Sequence, residues 1–285
     1  MTTVTDALGR TVALAAPARR IVSLVPSETD SVARLGSLDR LVGRTRYCVE
    51  PAGIERVPEV GGTKDIDVDA VRRLEPDLVL ANQEESSRHA VEALIEAGLP
   101  VHVSFPRTVP EALAYLRTLA TLLGVTDPPA LRAAEAAFAR ANTPTETARV
   151  FVPIWRDPWM TFDGNAFASD LLALVGAENV FADRPRRYPL AADLGRRAPL
   201  EGARVEGRDT RYPRIRLEEV VEREPELILL TDEPYAFGEE ERAELEALGT
   251  GAKVIFASGQ DLFWYGARLA ESIERLGSLL RSARS

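Results

Sequence analysis

The chain has 285 residues, 45% of them hydrophobic and 28% charged, with a formal net charge of −9. That is enough apolar material for two lobes with cores of their own, and the acidic balance argues against a general nucleic-acid partner. A single cysteine, Cys48, excludes an internal disulfide, and two histidines, His89 and His102, make a directly protein-ligated metal unexpected.

Residues 2–16 read as a small β-hairpin turning at Ala7-Leu8-Gly9-Arg10. Between Met1 and Arg20 there is no apolar h-region and no lipid-attachment cysteine, and no run of 18 apolar residues follows. A cytoplasmic location without a membrane span is therefore expected, with an extracytoplasmic one as the alternative if a leader was removed. Residues 20–25 form the first buried strand, ending at Pro26. Ser27-Glu28-Thr29-Asp30 is expected to open a helix with Ser27 as N-cap and Asp30 at N3, running to about Leu35 and stopping at Gly36. A helix N-terminus at the carboxyl end of a strand is a place where α/β sheets bind ligands.

Residues 41–44 are a second strand, followed by a loop carrying Tyr47 and Cys48. Gly61-Gly62 and Lys64 lack P-loop spacing, so the glycine pair is read as a tight turn. A third strand at 78–81 leads into the polar Asn82-Gln83-Glu84-Glu85-Ser86-Ser87, then a helix with Val91, Leu94 and Ile95 that ends at Gly98. A fourth strand spans 101–105 and a helix about 110–123. From 128 to 146, Leu131, Ala134, Ala137, Phe138 and Ala141 recur at helical spacing, with Pro129 in the first turn and Asn142 and Pro144 at the exit.

The second half opens on a strand at 150–155. A strand-turn element follows at 158–165, then a helix at 168–175 stopped by Gly176. Residues 182–216 hold ten Arg, five acids and four prolines, and are read as a solvated, partly mobile surface loop; alternatively, residues 209–214 fold over a ligand. A strand at 227–231, a charged helix at 239–248 and a strand at 253–256 precede a last helix with Leu269, Ile273, Leu276 and Leu280 on one face.

The two halves repeat each other. The helix-then-strand run from Ile66 to Leu80 returns without a gap from Ile215 to Leu229; Pro76 and Pro225, like Ile66 and Ile215, stand 149 residues apart. In each copy proline ends the helix and an acid precedes the strand. The expected fold is α/β: two Rossmann-like lobes with parallel-rich sheets, 1–126 and 148–285, joined by a single long backbone helix at 127–147, with a ligand cleft between the lobes.

Enzyme signatures are absent: no G-x-G-x-x-G after a strand, no Walker motif and no G-x-S-x-G elbow. Glu84-Glu85 at a helix start reads as dipole-complementing charge. The aromatics are more informative. Tyr47, Trp155, Trp159, Phe162, Tyr235, Trp264 and Tyr265 follow or neighbour strand ends, where flat rings can grip a flat apolar ligand at small entropic cost.

With these stretches in place, the chain resembles the helical-backbone (class III) substrate-binding proteins of ABC importers, in the branch that takes cobalamin and iron chelates. The resemblance covers roughly residues 6–281. It rests on the opening run from Pro17 to Thr29, Tyr47-Cys48-Val49-Glu50-Pro51, Val60-Gly61-Gly62, Leu74-Glu75-Pro76-Asp77-Leu78-Val79 and Val152-Pro153-Ile154-Trp155. It implies a non-enzymatic binder with no intrinsic cofactor, whose metal arrives inside a corrinoid or iron chelate, serving an ABC importer or acting as a cytoplasmic carrier. By position, Tyr47, Gly61 and Gly62 line the first lobe. Trp155, Trp159 and Phe162 line the second, with Tyr235 and Trp264 nearby. Glu84, Glu85 and Glu233 are the implied permease-docking acids, with Arg88 competing at the first-lobe position. Haem or siderophore is the alternative ligand. A cofactor-processing enzyme using Asp163, Asp209 or Glu233 is a second reading, and an interaction module docking an acidic partner through 182–216 is a third.

Overall fold

The computed structural model describes residues 1–141 and 147–284. The chain divides into two compact units, Met1–Phe138 with Trp264–Ala270, and Ala139–Phe263 with Glu271–Ser285.

The first unit begins with the expected hairpin, β1 (Thr2–Thr5) antiparallel to β2 (Thr11–Leu14). Its turn is held by Asp6 Oδ1, which accepts from the backbone of Leu8 and Arg10 at 3.0 and 2.9 Å. A parallel sheet follows, made of β3 (Ile21–Ser23), β4 (Leu41–Arg44), β5 (Leu78–Asn82) and β6 (Val101–Ser104) in the order β4-β3-β5-β6. Every residue of β5 is buried, as the unbroken apolar run Leu78-Val79-Leu80-Ala81 requires of a strand covered on both faces. Val22, Leu24, Val79, Val91 and Leu94 meet in its core.

The second unit holds β7 (Ala148–Phe151), β8 (Ala177–Asn179), β9 (Leu227–Thr231) and β10 (Lys253–Ala257), again all parallel, in the order β10-β9-β7-β8. Counted from one to four within each unit, both sheets run 2-1-3-4. The repeat read from sequence is therefore a repeat of topology. Its 149-residue offset also holds in the backbone. The helices Val68–Arg73 and Leu217–Arg223 start that far apart, and β5 and β9 share both ends at the same interval.

Each copy ends its helix on a glutamate in the left-handed region, Glu75 at φ 45° and Glu224 at φ 46°, because the following proline cannot continue the helix. The acid before each third strand has a defined task. Asp77 accepts from the backbone nitrogens of Arg19 and Arg20, and Glu226 from that of Arg149. The arginine opening each first strand answers in the other direction: Arg20 donates to Leu74 O and Arg149 to Arg223 O, both at 2.6 Å. Helix end, strand entry and neighbouring strand are thus stapled together at the amino edge of both sheets.

The helix between the two sheets spans Pro129–Arg140, and the boundary between the units falls inside it. Ala134 and Ala137 of the expected stripe are buried, and Leu131, Phe138 and Ala141 are half-buried. Asn142 and Pro144, expected at its exit, lie outside the described residues. The last helix, Leu269–Arg284, buries Leu269, Ile273, Leu276 and Leu280 as expected.

Some expectations change. The first helix is Pro26–Arg34 with Val25 at its N-cap, so Ser27 is not the cap and Asp30 is not at N3. Proline's fixed φ suits a first helical turn, and Pro26 opens the helix instead of merely ending the strand. Strand β8 is an addition to the expected elements, since Ala177-Glu178-Asn179 has no apolar signature. Residues 264–270 pack in the first unit rather than the second. Among the described residues, no helix is long and apolar enough to cross a membrane.

Candidate functional site

In parallel α/β sheets, ligands collect at the carboxyl ends of the strands, beside the point where strand order reverses. In the second unit that point lies between β7 and β9. Trp155 follows β7 and Tyr235 follows β9. Their rings meet edge to face with centroids 5.6 Å apart, and Trp155 stays 45% exposed. The loop under Trp155 is braced by its neighbour. Arg156 reaches three carboxylates on one helix, Glu240 at 3.2 Å, Glu241 at 3.1 Å and Glu244 at 2.7 Å. Tyr235 Oη donates to Glu241 Oε1 at 3.3 Å. Both rings are thereby tied to the Glu239–Glu246 helix, which fixes an apolar surface before any ligand arrives.

The other aromatics expected at the site are buried. Trp159 lies parallel to Phe237 with centroids 5.9 Å apart, and Phe162 meets Phe263 edge-on. Trp264 is buried beneath the Arg268 guanidinium in the first unit. These three rings pack their own units. The chain turns between Trp155 and Met160, which pair as an antiparallel bridge. One side of that turn faces solvent and the other faces the core, a split that residue type alone does not reveal.

In the first unit, Tyr47 follows β4 and is 54% exposed. Arg46 pairs with Asp65 through two hydrogen bonds of 3.0 and 2.9 Å, and its guanidinium lies 5.9 Å from the Tyr47 ring centre. Gly61 and Gly62 sit directly beneath. Gly61 O accepts from Arg46 N, and Gly61 bridges to Ile66 with φ 100°. A Cβ at Gly61 would strike the Asp65 carbonyl, and one at Gly62 would strike Asp65, Arg46 and the Tyr47 ring. The glycine pair therefore sets the position of Tyr47. Gly61→Ala is expected to cost about 1–3 kcal/mol of stability, from backbone strain and this collision. Chemical denaturation checks it; a loss under about 0.5 kcal/mol would show that the turn relaxes.

The acids of interest occupy matched positions. Glu84 and Glu233 each stand two residues past their third strand, 149 apart, and both are half-buried. Asn82 Oδ1 accepts from the backbone of Glu84 and Glu85 at 2.8 and 3.1 Å. Asp163 caps its own turn by accepting from Asn165 N, and Asp209 is held by Arg211. Neither carboxylate is poised for acid-base work by this geometry. Among the described residues, no three His, Cys, Asp or Glu side chains gather where they could hold a metal ion.

Sequence reasoning passed over a buried polar cluster at the carboxyl ends of β3, β5 and β6. Glu28 is fully buried in the first helix. Its Oε1 accepts from Ser104 Oγ and, at 3.4 Å, from Tyr265 Oη, and the buried Tyr115 hydroxyl also faces the carboxyl. Asn82 Nδ2 donates to Tyr265 Oη at 2.8 Å. Burial pushes the Glu28 carboxyl up to about 8, against the opposing pull of the Ser104 hydrogen bond. Glu28 is thus an uncharged acid at neutral pH, and with Asn82 and Ser104 it fastens Tyr265 to the sheet. A polar run at a helix start was the only local signal, because Tyr265 lies 237 residues further on.

Residues 195–209 are the largely exposed, irregular loop expected, but the two ends of the 182–216 segment are packed. Residues 159–163 and 211–215 run antiparallel, with Thr161 N donating to Pro213 O, Asp163 N to Arg211 O and Ile215 N to Trp159 O. Arg184 is buried and pairs with both Asp193 and Glu219.

A family model described as periplasmic binding protein matches residues 21–250. A vitamin B12-binding protein of Yersinia pestis (strain Pestoides F) is 26% identical over 220 residues, which is 75% of this chain and 70% of that protein. Among solved structures, the periplasmic vitamin B12 binding protein BtuF of Vibrio cholerae is similar with a TM-score of 0.69 at 20% identity, over 94% of this chain and 99% of that one. The periplasmic heme-binding protein RhuT from Roseiflexus sp. RS-1 is similar with a TM-score of 0.72 at 18% identity, over the same shares. At these identities the structural likenesses speak for the two-lobed fold.

Proposed function

This chain belongs to the periplasmic binding protein family, and from that premise we propose that it binds a metal-containing small molecule without turning it over, cobalamin or another corrinoid first and an iron siderophore or haem second. The observation that carries the reading is the braced Trp155–Tyr235 pair at the strand-order reversal of the second sheet. On the first unit taken by itself, the exposed Tyr47 beside Gly61 and Gly62 is a separate proposed ligand contact. The metal arrives inside the ligand.

The matched Glu84 and Glu233, with Glu85 beside the first, are the proposed contacts for the arginines of an ABC permease. Delivery to a permease places the protein outside the cytoplasm, so the extracytoplasmic alternative replaces the cytoplasmic expectation. The pairing of Asp209 with Arg211 and the local role of Asp163 give the enzyme reading no support at these two carboxylates.

Titration with cobalamin, followed by tryptophan fluorescence with an inner-filter control, tests the reading. A corrinoid or haem absorbs where tryptophan emits, so all three tryptophans can report binding, and the exposed Trp155 is singled out by substitution. Trp155→Ala is expected to weaken binding by about 1–3 kcal/mol, or roughly fivefold to 150-fold. Unchanged affinity in a folded variant would remove Trp155 from the site. If cobalamin, ferric siderophores and haem all fail to bind at micromolar concentrations, the ligand class is wrong.

A further inference from the structure

The second unit contains guanidinium groups that its own carboxylates leave unpaired. Within 182–216, Asp183 is engaged by Arg223, Asp193 by Arg184 and Asp209 by Arg211. Glu201 and Glu206 are exposed. Arg186, Arg208 and Arg214 make no ion pair among the described residues.

These three arginines are nevertheless ordered. The guanidinium carbons of Arg186 and Arg208 stand 4.5 and 4.9 Å from the ring centre of Tyr188. That ring is fixed in turn, since Tyr188 Oη donates to Asp209 O at 2.7 Å and Leu200 N donates to Tyr188 O at 2.7 Å. Arg214 is held through its backbone nitrogen, which donates to Asp193 Oδ2 at 2.7 Å. Arg186 Nε and Arg214 Nη1 are both shut off from water with no acceptor. Burial, and after it the neighbouring Arg186 charge, pushes the Arg214 guanidinium below its ordinary value against the weaker pull of Asp193, so the two cations feel each other.

Like charges held together with unfilled donors oppose stability in the free protein. An oxyanion reverses the balance, because planar guanidinium forks match the paired oxygens of a carboxylate or phosphate. We propose that Arg186 and Arg208, stacked on Tyr188, form with the neighbouring Arg214 an oxyanion-binding site that takes a carboxylate or phosphate group. Arg214 also lies next to the proposed ligand surface: it bridges to Met160, which bridges to Trp155. The anion can therefore be a peripheral carboxylate of the bound metal-containing molecule or a free small anion. Only the first source rests on the binding function proposed above.

Two arms separate the sources, each comparing the full chain with its R186Q/R214Q variant. In the first, thermal shift and calorimetry use inorganic phosphate, pyrophosphate and citrate; at least one is expected to bind the parent saturably and the variant about tenfold more weakly. In the second, haem is compared with its dimethyl ester, which lacks charged carboxylates; the parent is expected to prefer haem by about tenfold and the variant to lose most of that preference. A difference confined to the first arm assigns a free anion, and one confined to the second assigns the ligand's carboxylates.

Parent and variant behaving alike in both arms overturns the proposal. If the parent binds neither porphyrin, the haem reading fails by itself and the first arm alone decides. Relief of repulsion should also raise the melting temperature of the anion-free variant by about 2–4 °C. Should the glutamine variant misfold, R186K/R214K keeps both charges without the planar forks and carries the same comparison.

Discussion

Replacing Arg184 with alanine is expected to lower the unfolding free energy by about 3–5 kcal/mol, the range for breaking a buried ion pair by removing one partner. The guanidinium is buried and every donor is used. Nε donates to Glu219 Oε2 at 2.9 Å. Nη1 donates to Pro185 O at 2.7 Å and Asp193 Oδ1 at 3.0 Å, and Nη2 to Asp193 O at 2.7 Å and Arg214 O at 3.4 Å. Removing it costs the buried Asp193 carboxylate its directly paired cation, leaving only the more distant Arg214 charge, and three backbone carbonyls lose a donor. Asp193 still accepts from the backbone of Arg187 and Arg214, at 2.8 and 2.7 Å, which keeps the loss below that of a bare buried charge.

Arg184→Lys keeps the charge but cannot span five acceptors from one position, so an intermediate loss is expected. Denaturant unfolding measures both. Trypsin gives a local readout, because the 182–216 segment is rich in arginine and should be cut faster once its anchor is gone. A loss under about 1 kcal/mol with unchanged cleavage would mean that the segment is held mainly by its backbone pairing to residues 159–163.

The same segment marks where sequence stops being legible. Ten arginines and four prolines read as solvated loop, since composition cannot distinguish an arginine in water from one that satisfies five acceptors. The repeat was legible for the opposite reason. Helix ends, Pro76 and Pro225, and the acids Asp77 and Glu226 act through bonds local to each copy, so the 149-residue offset in sequence became one in structure. Strand β8 escaped notice because Ala177-Glu178-Asn179 is short and not apolar.

The exposure of the candidate rings was legible in part. Tyr47 and Trp155 stand exposed after strands, whereas Trp159 and Phe162 lie on the inner side of a turn whose direction is set by pairing with residues 211–215. Glu28 was hidden because its environment comes from β5, β6 and a segment near the far end of the chain.

Glu28 makes stability depend on pH in a direction opposite to most carboxylates. Its folded value of about 8 lies above the ordinary 4.5, so between these limits the folded state binds the extra proton. The stability it contributes is complete below about pH 4.5 and is lost as pH rises through about 8. His102 works against it on the acid side. Burial in β6 pushes its imidazole from 6.5 down to about 4, so its contribution is complete above about 6.5 and lost as pH falls through about 4. The two slopes oppose each other between about 4.5 and 6.5, and Glu28 alone acts from there to about 8. Over that upper window the unfolding free energy is expected to fall by about 2 kcal/mol, at about 1.4 kcal/mol per pH unit. Glu28→Gln keeps an acceptor for Ser104 and Tyr265 but cannot ionise. The difference between parent and variant isolates Glu28, since His102 is common to both. It should be flat below about pH 4.5 and should move steadily in the variant's favour up to about 8. A difference that does not change with pH would mean that water or a nearby cation reaches the carboxyl. A difference moving in the parent's favour would mean that Glu28 is ionised in the fold and held by a partner other than Ser104 and Tyr265.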